Sequence, residues 1–339
     1  MIDLKYRDKD YLVQYDLDSE LFDKFNLKVI DLIPIRKVYT LITTEGEKIL
    51  KRIDYTLEEF EFIVEALKYV KPNYSKTIDF LCSKDGLPYV KWKGEIYCVT
   101  DYINGRECEF SNPVDLSIAT KGLAELHKAS EGFKYNKYNK NKCGTLISSM
   151  KRKKEEMLFF KNMANIYMKK RSFDTIFLNK VDYYLSKIEE SIKVLENTQY
   201  LKLCSEEDKV VLCHHDLAHH NILIKNNEAY FIDFDYSIID LRVHDLCNFI
   251  NKVIKNFCYD MEKAKNIIEI YRRENSLNGT ELEVLYGMFV FPEDFYGIAK
   301  DYYTRRKNWE ENIFISRLNR KINAEGDRIK FLQQLNSNL

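Results

Sequence analysis

The chain has 339 residues, 45% hydrophobic and 14% aromatic, with 53 basic against 53 acidic side chains. That length suits one large domain or two ordinary ones, and it supplies enough core to fold without disulfide or metal staples. A formal net charge of zero excludes a basic nucleic-acid binder and an acidic tail as explanations of the whole chain.

Residues 1–8 have no apolar stretch of the signal-peptide kind, and no uncharged apolar run approaches about 18 residues, so neither a secretion signal nor a membrane span is expected. Residues 27–103 read as strand-rich. Residues 37–42 alternate, Glu45-Gly46 turns, and residues 48–53 return, which predicts a hairpin. Phe60, Ile63, Val64, Leu67 and Val70 recur at helical spacing, and Lys71-Pro72-Asn73 stops that helix. Two further strands, 87–92 and 95–100, flank Lys93-Gly94, and residues 101–105 form an exit segment. From about Ser111 the chain turns helical: residues 116–128, a charged helix over 151–170, and a long amphipathic one marked by Phe177, Val181, Tyr184, Ile188, Ile192 and Leu195. The basic run Lys151 to Lys154 precedes Glu155-Glu156 and reads as a solvated helix face. Short apolar runs at 210–213, 222–224 and 229–232 interrupt the helical pattern, which resumes near Val243.

Only 11 glycines are present, with no G-x-G and no G-x-x-x-x-G-K-[ST], so any nucleotide is held by something other than a glycine cradle. Five of the six histidines fall between 214 and 244. His214-His215-Asp216 with Asn221 gives H-x-D-x-x-x-x-N, and Asp233 follows at the end of an apolar run, in the pattern of the catalytic loop and metal aspartate of kinase-type phosphotransferases. Asp216 would accept a proton from a substrate hydroxyl. Asn221 and Asp233 would supply neutral and charged oxygen to Mg²⁺ carried by ATP. Strand alternation puts Ile49 and Lys51 on one face, an apolar contact for a base and a cation for phosphate, with Leu223 and Ile232 as further cofactor-binding positions. The glutamate partner of Lys51 is expected on the next helix, Glu61 rather than Glu65. His214 reads as a structural residue of the loop; His219 and His220 face phosphate, substrate or solvent. The same histidines leave a metal-dependent phosphohydrolase as another reading. The 24 tyrosines read as packing rather than cross-linking groups, and the eight cysteines, none in a C-x-x-C pair, as reduced thiols of a cytosolic protein.

These motifs resemble the aminoglycoside phosphotransferase and choline kinase superfamily. More narrowly, Leu50-Lys51-Arg52, residues 86–90, 102–107 and 123–127, Phe231-Ile232-Asp233-Phe234-Asp235 and Phe291-Pro292 near Tyr302-Tyr303 resemble the CotS-type spore-coat proteins of endospore formers, over about residues 27–333. The resemblance implies an α+β, bilobal protein-kinase-like fold. Residues 1–103 would form a small antiparallel-sheet, nucleotide-binding lobe with one docked helix, and residues 104–339 a mainly helical lobe carrying the loop 214–221 and Asp233. It also implies ATP between the lobes, Asp101 and Ile103 offering backbone to adenine, and Asp245 bracing the catalytic loop. Ala218 and His220 stand where protein kinases carry a cation, and eleven residues between Asp233 and Asp245 leave no room for an activation segment, which argues against a regulated protein kinase. Two functions follow: Mg·ATP phosphotransfer to a hydroxyl or amine of a small-molecule or coat acceptor, or a non-catalytic scaffold of the spore coat. The expected partners are ATP, an acceptor and other coat proteins, without nucleic acid or membrane. No motif names the acceptor or the oligomeric state.

Overall fold

Alternation in the N-terminal third produces a sheet whose two faces bury different things. The computed structural model describes Leu17 and residues 19–338, apart from 167 and 256. A short helix α1 (Ser19–Lys24) precedes β1 (Val29–Ile35), β2 (Val38–Thr43) and β3 (Gly46–Ile53); α2 (Leu57–Val70) follows, then β4 (Val90–Trp92) and β5 (Glu95–Asp101). The strands form one antiparallel sheet in the order β1-β2-β3-β5-β4. Leu41, Leu50 and Val99 are fully buried on one face with Leu21 and Phe25 of the α1 segment. Ile53 and Cys98 turn to the other face, against Phe60 and Val64 of α2. Lys51 stands opposite Cys98 in the ladder and therefore on the α2 side. Thr56 caps α2, its hydroxyl accepting the Glu59 N–H at 3.3 Å.

Two strand expectations need correction. The strand expected over 87–92 shortens to Val90–Trp92, because Ser83 and Leu87 close a loop, with the Ser83 N–H on the Leu87 carbonyl at 2.7 Å. β1 was not foreseen. It is an edge strand with mostly half-exposed side chains, so its alternation is weak, and Pro34 is tolerated where an outer N–H is not needed.

The rest of the chain is mainly helical around two small ribbons. In order come β6 (Arg106–Glu107), α3 (Pro113–Ala129), α4 (Leu146–Ile166), α5 (Ser172–Glu196), α6 (Tyr200–Leu203), β7 (Val210–Cys213), β8 (Ile222–Lys225), β9 (Glu228–Phe231) and β10 (Ile238–Leu241). Helices α7 (Arg242–Ile254), α8 (Met261–Glu274), α9 (Gly279–Val290), α10 (Glu293–Tyr303), α11 (Glu311–Asn323) and α12 (Glu325–Asn338) complete it. β7 pairs with β10, and β8 lies between β6 and β9. The largest apolar cluster runs from Phe62, Ile63 and Ala66 of α2 through α3, α5 and α7 to α9, so the sheet's helix is keyed into the helical part. At Gly122 of α3 a Cβ would stand 2.8 Å from the Ala229 Cβ, so only glycine allows α3 this close to β9. Among the described residues no helix is long and apolar enough to cross a membrane.

Candidate active site

The loop 214–221 leaves β7 and returns through a 3₁₀ turn (His219–Asn221) into β8. Its entry is held by the Asp245 carboxylate, at the start of α7, which accepts the His214 N–H at 2.7 Å and the His215 N–H at 2.9 Å. His127 Nε2 lies 3.2 Å from the same carboxylate, and His127 Nδ1 lies 2.7 Å from the Tyr271 hydroxyl. His127, Asp245 and Tyr271 are completely buried. Burial alone would raise the Asp245 carboxyl, but the hydrogen bond from His127, the neighbouring His214 and the His215 N–H outweigh it and hold it at about 2. Asp245 thus stands where a brace belongs, and His215 can keep its left-handed backbone (φ 65°), a conformation that costs a β-carbon about 1 kcal/mol or more. Buried His214 joins the loop to the end of β9: its Nε2–H donates to the Ile232 carbonyl at 2.9 Å and its Nδ1 accepts the Asp216 N–H at 3.3 Å. Desolvation lowers its pKa, in keeping with a neutral ring that accepts at Nδ1.

The structure brings Asp216 and Asn221 together. The Asn221 amide donates to the Asp216 backbone carbonyl at 2.9 Å and to its carboxylate at 3.1 Å. That orients Asn221 Oδ1 away from Asp216, and among the described residues nothing bonds to it. The other Asp216 oxygen binds the Lys252 ammonium, from α7. A cation absent from positions 218 and 220 therefore arrives from a helix 36 residues downstream.

Asp233 and Lys51 also meet. Asp233 has left the strand with φ 64° and ψ 66°, and its carboxylate lies 2.6 Å from the Lys51 ammonium. A second carboxylate, Asp235, is equally close at 2.6 Å and also accepts the Tyr55 hydroxyl at 2.9 Å. Desolvation opposes the charge on Lys51, but the two carboxylates outweigh it and raise its pKa. Within the carboxylate pair, desolvation raises Asp235 while Lys51 holds Asp233 low. The expected Lys51–Glu61 pair does not form: no ion pair among the described residues joins Lys51 to Glu61 or Glu65, and Glu65 lies instead 3.5 Å from Lys68. The buried arc of α2 carries Phe60, Phe62, Ile63, Val64 and Ala66. Glu61 falls outside that arc with Glu58 and Glu65, on the side of Tyr135, whose phenol desolvation and these three carboxylates push up.

Of the remaining nucleotide candidates, Ile49 stands two residues before Lys51 on β3 and Ile232 immediately precedes Asp233. Ile49, Leu223 and Ile232 are half-buried. Asp101 ends β5 exposed, its carboxylate holding the Lys48 ammonium at 2.5 Å, and the Ile103 carbonyl accepts the Gly105 N–H at 2.9 Å. The Ile103 N–H has no partner among the described residues.

A cavity of about 740 Å³ lies on the helical side, with His215 and Lys252 in its wall next to Asp216. The basic run expected to be a solvated face divides here. Lys151 pairs with Glu196 at 2.6 Å and Lys154 with Glu189, whereas Arg152 and Lys153 line the cavity. The histidines do not converge as metal ligands. His244 Nδ1 lies 2.6 Å from Asp240, and His219 lies 3.4 Å from Glu107. Among the described residues the one cluster with ligand-type spacing is His127, Cys213 and Asp245, the buried brace itself. Cys98, Cys108, Cys213 and Cys247 are buried free thiols, while Cys82 and Cys258 are exposed.

With this geometry in place, comparison with known proteins identifies the chain. Residues 18–335 match the family described as "Spore coat putative kinase YutH", and the chain belongs to that family. Its fold is that of the aminoglycoside phosphotransferases. An aminoglycoside phosphotransferase from Alicyclobacillus acidocaldarius superposes with a TM-score of 0.82 at 18% identity, covering 99% of each chain. AMP-bound spectinomycin phosphotransferase gives 0.67 at 16% identity over 89% of this chain and 92% of that one. The amicoumacin kinase complex with AMP-PNP, Ca²⁺ and amicoumacin gives 0.63 at 14% over 96% and 99%.

Proposed function

We propose that this spore-coat family member is an ATP-dependent phosphotransferase that moves the γ-phosphoryl group onto an acceptor held in the cavity beside Asp216. The observation that carries the reading is the convergence of four groups. Asp216 and Asn221 are bonded to each other, and Lys51 and Asp233, 182 residues apart in sequence, meet at 2.6 Å. Solved structures of the same fold with AMP or AMP-PNP bound support nucleotide binding by this chain.

The residues present suit Mg²⁺: Asn221 offers an amide oxygen with no partner among the described residues and Asp233 a carboxylate, the hard donors this ion takes. When bound, the ion would neutralise charge on the phosphates. The chain's own groups do the rest. Asp216 takes the proton of the acceptor hydroxyl as its oxygen attacks phosphorus. Asn221 fixes the rotamer of that carboxylate, and Lys252 balances its charge until the proton arrives. Lys51 contacts phosphate, with Asp235 and Tyr55 as its anchor in place of a helix glutamate. Ile49, Leu223 and Ile232 form the apolar walls for the base, and the Ile103 N–H with the Asp101 carbonyl reads its edge.

Asp216→Asn keeps the shape and the Asn221 contact but removes the proton acceptor. ADP release in the presence of an acceptor should fall by roughly 10² or more while ATP binding persists. Undiminished transfer by that variant would end the assignment of Asp216.

A further inference from the structure

Among the described residues, seven lysines and arginines and four aspartates and glutamates line the cavity. Each of the four acids already has a nitrogen partner among its neighbours. Asp240 binds His244 at 2.6 Å, Glu293 binds Lys153 at 2.6 Å, Asp294 binds Lys321, and Glu325 binds Arg328 at 2.8 Å. Lys252 is engaged with Asp216. Three cations remain, Lys142, Arg152 and Lys255, and among the described residues none has a carboxylate within ion-pair distance.

We propose that this cavity takes an anionic acceptor, a hydroxyl compound that also carries a phosphate or carboxylate group. The proposal rests on the phosphotransferase reading and narrows its substrate class. A wall with unspent positive charge repels an amine and attracts an anion, and clefts with low-dielectric sides concentrate that field. Burial lowers the pKa of Lys255, Asp294 raises it, and Lys321, Lys252 and Arg320 lower it. Phe289, Phe291 and Phe295 supply apolar wall, so the anion would be anchored at the basic rim while its carbon frame packs inside.

The test uses the full chain and four probes on one carbon frame: glucose, glucosamine, gluconate and glucose 6-phosphate. Their binding is measured by calorimetry with Mg·AMP-PNP present and absent. The expected result is that gluconate or glucose 6-phosphate binds roughly tenfold or more tightly than glucose, with glucosamine weakest. The stronger of the two anions identifies carboxylate or phosphate as the recognised group. Lys255→Glu combined with Arg152→Glu should abolish the preference without altering Mg·AMP-PNP affinity. Lys255→Met, which keeps most of the alkyl stem, gives the same reading if the double variant does not fold. A preference for glucose or glucosamine, no detectable binding of either anion at millimolar concentration, anion binding indifferent to these substitutions, or anion binding displaced by AMP-PNP would overturn the proposal. Anion binding in a protein that never binds Mg·AMP-PNP would uphold the basic cavity and reject the phosphotransferase reading instead.

Discussion

Lys51 shows how one side chain can be placed correctly and partnered wrongly from sequence. Alternation around it puts it on the cleft face of β3, and it is there. Its second counter-ion is Asp235, two residues past Asp233. In an extended strand those two would share a face, but the chain turns into a 3₁₀ helix (Phe234–Tyr236), and only the folded turn reveals that both carboxylates reach one ammonium. They titrate as a pair, with Asp235 the higher member. His215 carries a separate prediction. Desolvation and the neighbouring His244 lower its pKa to about 4. The unfolded chain therefore takes up this proton first as pH falls, and stability is lost between about pH 6.5 and pH 4, by at most about 3 kcal/mol from this group. Asn tolerates the left-handed backbone, so His215→Asn should flatten the dependence of the melting temperature on pH across that window. Equal slopes for the two proteins would show that His215 is not the sensor.

Helices deliver groups that no local spacing discloses. Asp245 and Lys252 lie seven residues apart on α7, hence on one face, and they hold the loop from two sides: one holds its entry, the other the Asp216 carboxylate. The first was legible through family resemblance. The second was not, because nothing near Asp216 in sequence points 36 residues ahead. Glu61 failed for the opposite reason: a helical wheel gives an angle to the apolar face, not the direction of the cleft, and α2 buries Phe62 and Ala66 on the side that wheel left vacant. β1 escaped because an edge strand needs little alternation. Packing of α3 on β9 gives this scale its prediction. Gly→Ala in a helix interior ordinarily stabilises by about 1 kcal/mol. At Gly122 the new methyl meets Ala229 at 2.8 Å and Tyr74 at 3.1 Å, and overpacking of this kind costs about 1–3 kcal/mol. Gly297, in α10, has nothing within 4 Å. Denaturant titrations should show Gly122→Ala less stable and Gly297→Ala slightly more stable than wild type. Stabilisation by both would mean that α3 does not sit so close to β9.

At the scale of the molecule, the kinase-like fold was readable because a short loop with fixed polar positions lies between two groups of elements in the expected order. The charge of the cavity beside Asp216 was not. Its cations come from α4, α7 and the residue after it, α11, α12 and the segment before α4, spread over residues 142–328 of a chain whose charges balance, so only folding gathers them. The central claim is that Lys51, Asn221 and Asp233 form a working Mg·ATP site. Thermal unfolding of wild type and Asp233→Ala, each with and without Mg·ATP, tests it most directly. Nucleotide at about 100 times its dissociation constant adds roughly 2.7 kcal/mol, a few degrees for a chain of this size. The account predicts that shift in wild type, dependent on Mg²⁺ and lost in Asp233→Ala. A cooperative transition unmoved by millimolar Mg·ATP would contradict it and leave a kinase fold serving the coat as a scaffold.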